Sequence, residues 1–417
     1  MTTSTRSAVL IYGCAFAVAG GVPFVLLPIL TRALSPQQFG EVTAFLMLTS
    51  LLGSLVGLSA HGFVSVRYFK TPAEQFRVLV STAMVAVAAV HVAAAVVVGL
   101  MFPWLSRALD LPLGIVMLAV AAALALNFNL VFLAIFQSSA QPMSYLRARL
   151  IQGACELALC LALVHWVAAD SSARIDSYTF AIAASALFGG WVCLRRRQLG
   201  RGFDRGHFKA LLRFGVPMLP HIVAGTTLTY VDRLVITSLM GAQSLGLYMV
   251  AMQIGMAMVA LIEPLNKALA PWLFAQLAKN DAAARAMVVR RTYQLYAVLA
   301  LLGATVALLA HLVFDQFIGP RFAGARALVP WMIGGFVLQG MYYSVVNYLF
   351  YAERTGRLSV VSGTTAVVGC VVSYALTSRF GLMGAAVSFA FNNAVLFALV
   401  WLTAAKAVPM PWLSWRR

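Results

Sequence analysis

The sequence predicts an all-α integral membrane protein of about twelve transmembrane helices, arranged as two six-helix halves. Three observations predict it. Of 417 residues, 62% are hydrophobic and only 10% are charged, with a mean hydropathy of +0.89; an average soluble domain carries about 25% charged residues. The apolar residues fall in continuous runs of bilayer-crossing length, unlike the alternating pattern of barrel strands. Lys and Arg gather in every second connection between the runs.

The first run, Ala8–Leu30, is longer than a signal-peptide core. Gly20, Gly21, Pro23 and Pro28 make no clean cleavage site, so it reads as the first span. A polar stretch, Ser35–Gly40, separates it from Val42–Val66. Val78–Leu100, Ile115–Phe136, Leu150–Ala168 and Tyr178–Leu194 complete the first six. The second six are Phe214–Met240, Leu247–Leu273, Tyr293–Phe314, Leu328–Tyr351, Val360–Leu376 and Ala385–Ala405. The connections are too short for a separate soluble or catalytic domain.

Orientation follows from charge. With Met1 inside, the inner connections carry Arg67, Lys70 and Arg77, then Arg147 and Arg149, then a central cluster of Arg195, Arg196, Arg197, Arg201, Arg205, Lys209 and Arg213. Further along come Lys279, Arg285, Arg290 and Arg291, then Arg354 and Arg357, then Lys406, Arg416 and Arg417. The outer connections carry only Arg32, Arg107, Arg174, Arg321, Arg326 and Arg379. This asymmetry keeps basic loops and both termini in the cytoplasm. It divides the chain into an N-terminal bundle (1–194), a basic cytoplasmic linker (195–213) and a C-terminal bundle (214–417).

The linker interleaves Phe203, Phe208, Leu211 and Leu212 with Arg205, Lys209 and Arg213, which share one helical face. That pattern predicts an interfacial helix on anionic lipid headgroups. The formal charge of +18 has the same origin, and no nucleic-acid recognition motif accompanies it, so nucleic acid is excluded as a partner. The five cysteines, Cys14, Cys155, Cys160, Cys193 and Cys370, lie in or beside spans without metal or redox spacing and read as small apolar fillers. No metal or cofactor motif is present.

The halves echo one another. Ser35-Pro-Gln-Gln-Phe-Gly40 follows the first span and Gly241-Ala-Gln-Ser-Leu-Gly246 the seventh, each with Gln third, an apolar residue fifth and Gly sixth. Both read as short outer turns. The matching positions predict a parallel repeat about an axis along the membrane normal, with a substrate path where the halves meet.

Ionisable residues within spans are costly and raise functional hypotheses. Glu263 and Lys267 are one turn apart in the order that favours an ion pair. Mutual neutralisation explains them as well as a cavity-lining role does. Pro264 between them can bend the helix. Asp232 and Arg233 are adjacent and point about 100° apart, so each should meet a different neighbour. Arg233 has the planar fork that suits phosphate oxygens and is the strongest candidate for an anionic substrate contact. Arg67, Arg147 and Arg149, at inner ends of spans, could form a basic vestibule or snorkel to headgroups. Glu156 has no evident local partner and reads as a proton carrier or a neutral hydrogen-bonded core residue. His61 and His221 lie near Gly or Pro breaks. Gly53-Ser-Leu-Val-Gly57 has close helix-packing spacing. No nucleophile elbow, phosphate loop or extramembrane carboxylate pair is present, so no enzymatic activity is expected.

Several motifs then resemble a known family. Pro28-Ile-Leu-Thr-Arg-Ala-Leu-Ser-Pro-Gln-Gln-Phe-Gly40 is similar to the first-span exit of Wzx-type polysaccharide flippases. Pro217-Met-Leu-Pro220, Tyr230-Val-Asp-Arg-Leu234 and Leu245-Gly-Leu-Tyr248 resemble their seventh span and its turn, and Phe380-Gly-Leu-Met-Gly-Ala-Ala386 the approach to their last span. The resemblance covers nearly the whole chain; each motif is loose, and their order and spacing carry it. It implies the multidrug/oligosaccharidyl-lipid/polysaccharide exporter superfamily, with two bundles forming a V-shaped alternating-access transporter. It implies movement of a polyprenyl-diphosphate-linked oligosaccharide across the bacterial inner membrane, driven by H+ or Na+. Asp232 and Arg233 match the family's Asp-Arg pair by position. Glu156, Glu263 and Lys267 match no family motif and remain inferences from the residues alone. A polysaccharide polymerase and chain-length proteins are candidate partners, with anionic lipid at the linker. The competing readings are a multidrug cation antiporter of the same superfamily, which should show unpaired acids, a lipid II flippase, which commonly has extra spans, and a membrane polymerase or glycosyltransferase, which should show a large outer loop.

Overall fold

The computed structural model describes residues 3–412 apart from 168, 280 and 353, without the side chains of residues 3–10, 12, 16, 19, 108, 220, 221, 224, 227, 228, 267, 268 and 355. Arg416, Arg417 and the side chains of Lys267 and His221 therefore lie outside the described set. The described residues are helical and contain no strand. Among the described residues, ten helices are long and apolar enough to cross a membrane. Two of them, Thr229–Ala278 and Gly356–Ala407, run to 50 and 52 residues, more than twice the ~20 a bilayer needs. Each bends at a glycine with positive φ, Gly241 (φ 75°) and Gly381 (φ 58°), a backbone conformation that costs other residues dearly. Divided there, they give the expected twelve crossings. Lipid must cover the outside: Leu301, Leu308, Leu309 and Leu312 remain 54–70% exposed on one long helix.

Contacts divide the chain into two units. The first comprises Met1–Tyr230 with Gly241–Gly246, and the second Val231–Met240 with Leu247–Arg417. The first contains α1 (Thr3–Ala33), α2 (Pro36–Val56), α3 (Ala60–Tyr68), α4 (Ala73–Leu100), α5 (Phe102–Leu109), α6 (Leu113–Ser138), α7 (Pro142–Trp166), α8 (Ser171–Arg195) and α9 (Arg205–Gly215). At its centre α6 touches α2, α3, α4, α7 and α8. The second span expected at Val42–Val66 is not continuous: Leu58 and Ser59 adopt left-handed φ values of 51° and 49° and separate α2 from α3. Beside the break, the Asn127 amide of α6 donates to the Gly53 carbonyl at 3.1 Å and to the Ala123 carbonyl at 3.0 Å. The Gly53–Gly57 stretch packs on Leu126 and Asn127.

The basic linker contains the helix its pattern predicts, and part of that helix packs on the bundle. Asp204 caps α9 by accepting the His207 N–H at 2.7 Å. Leu211 is fully buried, and Phe208 and Leu212 pack on a core that includes Phe63, Phe76 and Leu79. The apolar residues Phe208, Leu211 and Leu212 of this helix therefore rest on protein, because the neighbouring helix ends offer them a dry surface. Arg205 and Lys209 keep the polar side: Arg205 and Lys209 are exposed.

The second unit holds about half of α10 (Leu219–Gly255), then α11 (Ala257–Ala278), α12 (Ala282–Phe317), α13 (Val329–Tyr351) and α14 (Thr355–Ala407). Here α13 is the hub, touching α11, α12 and α14. Both hubs are the fourth crossing of their half, and each follows a short helical connection, α5 before α6 and residues Pro320–Leu328 before α13. Tyr293, Tyr296, Trp401 and Trp412 pack edge-on in one cluster, and the Tyr293 hydroxyl donates to the Trp412 carbonyl at 3.0 Å.

The sequence echo has a different structure from the turns expected. Ser35 is a helix N-cap: its hydroxyl accepts the Gln38 N–H at 3.2 Å, and the Gln38 side chain accepts the Ser35 N–H at 2.8 Å. Residues 36–40 are therefore the first turn of α2. At the second echo only Gly241 departs from helical geometry, and the residues after it are helical at once.

Candidate functional site

In the second unit the site is built on the hairpin formed by α10 bending at Gly241. The bend sets Asp232 opposite Tyr248. The Tyr248 hydroxyl, fully buried, donates to Asp232 Oδ2 at 2.5 Å, and the Arg233 backbone N–H donates to Asp232 Oδ1 at 2.8 Å. Arg233 turns elsewhere, with its Nε–H 3.2 Å from Met249 Sδ. The adjacent acid and base thus meet different side chains of the returning helix, as their 100° separation requires. Both are half-buried. A thioether is a weak acceptor, so this contact orients the Arg233 side chain toward the returning helix without a strong hydrogen bond at Nε.

Glu263 is half-buried on α11. The helix continues through Pro264 and Pro271, and its interruption from α10 falls at Met256 instead. Each proline lacks an N–H, which leaves the carbonyl four residues earlier without its usual helical donor. The backbone of Lys267 lies one turn beyond Glu263.

In the first unit, Arg67 is half-buried with its guanidinium carbon 5.5 Å from the Phe63 ring centre. Arg147 is exposed. Arg149 belongs to a chain of polar groups reaching the core: it donates to Gln152 Oε1 at 3.1 Å, and Asn129 donates to the same oxygen at 3.4 Å. Ser185 in turn donates to Asn129 Oδ1 and to the Ala148 carbonyl, both at 2.9 Å.

Glu156 corrects the sequence reading. Its Oε1 accepts Arg174 Nη2 at 2.5 Å, and both side chains are buried, 8% and 6% exposed. Arg174, expected in an outer connection, lies instead in the first turn of α8, which Asp170 caps by accepting the Ser172 and Ala173 N–H groups. Capping starts the helix early and carries Arg174 into the bundle, over the Tyr178 ring. The acid therefore has a buried guanidinium as its partner, which the sequence did not show. Sequence spacing missed it because the partners are on different helices.

Several asparagines within the spans bond to structure. Asn127 closes the α2 break, Asn347 donates to Asn266 Oδ1 at 2.9 Å, and Asn393 donates to the Phe389 carbonyl at 2.9 Å. Tyr248 is the functional neighbour that sequence reasoning did not select. The signal was present: Asp232 and Tyr248 are equidistant from residue 240, next to the bend. Among the described residues, no group of three or more His, Cys, Asp or Glu is placed to hold a metal ion.

Comparison with known proteins bears on both family and fold. A family model described as "Polysaccharide biosynthesis protein" matches residues 7–277. An uncharacterized membrane protein of Haemophilus influenzae is 26% identical over 359 residues, 83% of this chain and 84% of that one. The amylovoran biosynthesis protein AmsL of Erwinia amylovora is 24% identical over 165 residues, 40% of each chain. Among solved structures, the lipid II flippase MurJ in an inward closed conformation aligns with a TM-score of 0.73 at 12% identity, over 95% of this chain and 87% of that one. An inward-facing multidrug MATE transporter of the MOP superfamily aligns with a TM-score of 0.63 at 14% identity, over 96% and 98%. These likenesses give the fold, a multi-pass membrane transporter fold, and agree with the resemblance carried by the sequence motifs.

Proposed function

The chain belongs to the polysaccharide biosynthesis protein family, and on that premise we propose that it is a flippase for a polyprenyl-diphosphate-linked oligosaccharide in the bacterial inner membrane. The observation that carries the reading is the combination of this family with a MOP-type transporter fold across nearly the whole chain. A diphosphate and its sugars are insoluble in lipid tails and need polar and cationic groups in place of water. Arg233 in the second unit, and Arg67, Arg147 and Arg149 in the first, supply such cations, with Lys267 as a further candidate. A planar guanidinium can take two phosphate oxygens at once. Alternating access, coupled to an H+ or Na+ gradient, moves the headgroup while the polyprenyl tail stays in lipid. Asp232 and Glu263 are the carboxylates assigned to coupling; Glu156 is paired with Arg174. Both termini are cytoplasmic in this scheme. A polymerase and chain-length proteins act on the exported product, in O-antigen or related lipopolysaccharide synthesis.

Depletion of the protein in its host tests the reading. Lipid-linked oligosaccharide should accumulate in the cytoplasmic leaflet, scored by lectin access in inverted against right-side-out vesicles. Unchanged glycan distribution with altered sensitivity to organic cations would replace it with the multidrug antiporter.

A further inference from the structure

The second unit contains a pocket that the proposed transport does not use. It lies among α11, α12 and α13 and encloses about 560 Å³ including its open mouth. Its polarity is graded. Contacts between the antiparallel α12 and α13 set the depth: Thr292 meets Tyr348, and Tyr296 meets Ser344. Arg291 therefore stands at one end, level with Tyr348, exposed and donating only to Gln294 Oε1 at 3.3 Å among the described residues. Next come Asn266 and Asn347. Asn347 Nδ2 donates to Asn266 Oδ1 at 2.9 Å, which leaves the Asn266 N–H groups and the Asn347 carbonyl oxygen for a third group at the wall. Beyond them the walls are apolar, with Ile262, Leu265 and Leu299, closed where Ile262 meets Gly340.

A cation, then an amide pair, then a hydrocarbon wall is the order of groups along a glycerophospholipid: phosphate, ester carbonyl, acyl chain. A polyprenyl phosphate carries no polar group between its phosphate and its hydrocarbon, so it would leave the Asn266 donors unpaired, at a cost. Trp272 at the same end as Arg291 suits a headgroup-level position. We infer that this pocket is a binding site for one anionic glycerophospholipid, with its phosphate on Arg291, an ester carbonyl on Asn266 and an acyl chain along Leu265 and Leu299.

The test is native mass spectrometry of the full-length protein, delipidated and titrated with dioleoyl-phosphatidylglycerol, dioleoyl-phosphatidylcholine and polyprenyl phosphate. Phosphatidylglycerol should bind at one preferred site, more tightly than the other two lipids. Arg291→Gln should weaken it about tenfold, the value of one charge-assisted contact. Arg290→Gln, which removes the neighbouring exposed cation outside the pocket, should leave it unchanged. Ser344→Phe should block binding by filling the pocket, and Asn266→Leu should remove the preference for phosphatidylglycerol over polyprenyl phosphate. Equal losses with Arg290→Gln and Arg291→Gln would overturn the site in favour of general surface attraction. Equal binding of polyprenyl phosphate by the wild type would overturn the assignment of the occupant. Because the readout is binding, it stands or falls independently of whether the protein flips a glycan.

Discussion

Gly40 and Gly246, the sixth residues of the two echo segments, pack against each other. A methyl group added to Gly246 would stand 3.0 Å from the Gly40 backbone nitrogen and overlap the Pro36 carbonyl; one added to Gly40 would overlap the Ala242 carbonyl. The contact is reciprocal: the sixth residue of each segment meets the second residue of the other. Two helix first turns thus touch by backbone, in the manner of small-residue contacts between membrane helices.

A side chain cannot enter this contact without moving a helix. Gly40→Leu or Gly246→Leu should lower the thermal midpoint in detergent by several degrees, the consequence of about 1–3 kcal/mol of overpacking. Gly225→Leu, where an added Cβ meets nothing within 4 Å, is the control. Equal effects at all three positions would contradict the contact.

The Glu156–Arg174 pair should show strong coupling. Glu156→Gln leaves a buried guanidinium without its counter-ion and should cost about 3–5 kcal/mol. Arg174→Gln should cost a similar amount. The double variant should be more stable than the sum of the two losses, by the coupling energy of the pair. Strict additivity in a denaturant-unfolding cycle would remove the pair as a structural feature.

Tyr248→Phe should lower stability by about 1–3 kcal/mol, because Asp232 Oδ2 loses its buried donor. Asp232→Asn with Tyr248→Phe should recover part of that loss, since a neutral amide costs less to leave short of a partner. A silent Tyr248→Phe would show that the hydroxyl does not hold the carboxylate.

Neutralising Arg195, Arg196 and Arg197 together should impair insertion or folded yield more than selectivity among glycans, because basic inner connections set orientation. A change of exported glycan with normal yield would contradict this.

The fold was legible in the sequence because bilayer length and charge asymmetry are strong, local signals. Where legibility failed, the deciding contact lay between distant segments. Arg174 looked like a loop cation until the Asp170 cap placed it inside α8 opposite Glu156. The apolar stripe of α9 was visible, but not whether lipid or the Phe63–Leu79 core would cover it. The break at Leu58 and Ser59 has no glycine or proline at those two positions to announce it. Of the candidate site, Asp232 and Arg233 were found through charge within a span, whereas Tyr248 needed the Gly241 bend to bring it across.

The most direct test of the account is leaflet-to-leaflet transfer of a fluorescent polyprenyl-diphosphate-linked oligosaccharide in proteoliposomes containing the purified protein. The account predicts protein-dependent transfer that falls at least about tenfold in Arg233→Ala, with reconstitution yield unchanged, as loss of one charge-assisted phosphate contact requires. Transfer at wild-type rate in Arg233→Ala, or no transfer by the wild type under an H+ or Na+ gradient, would contradict it.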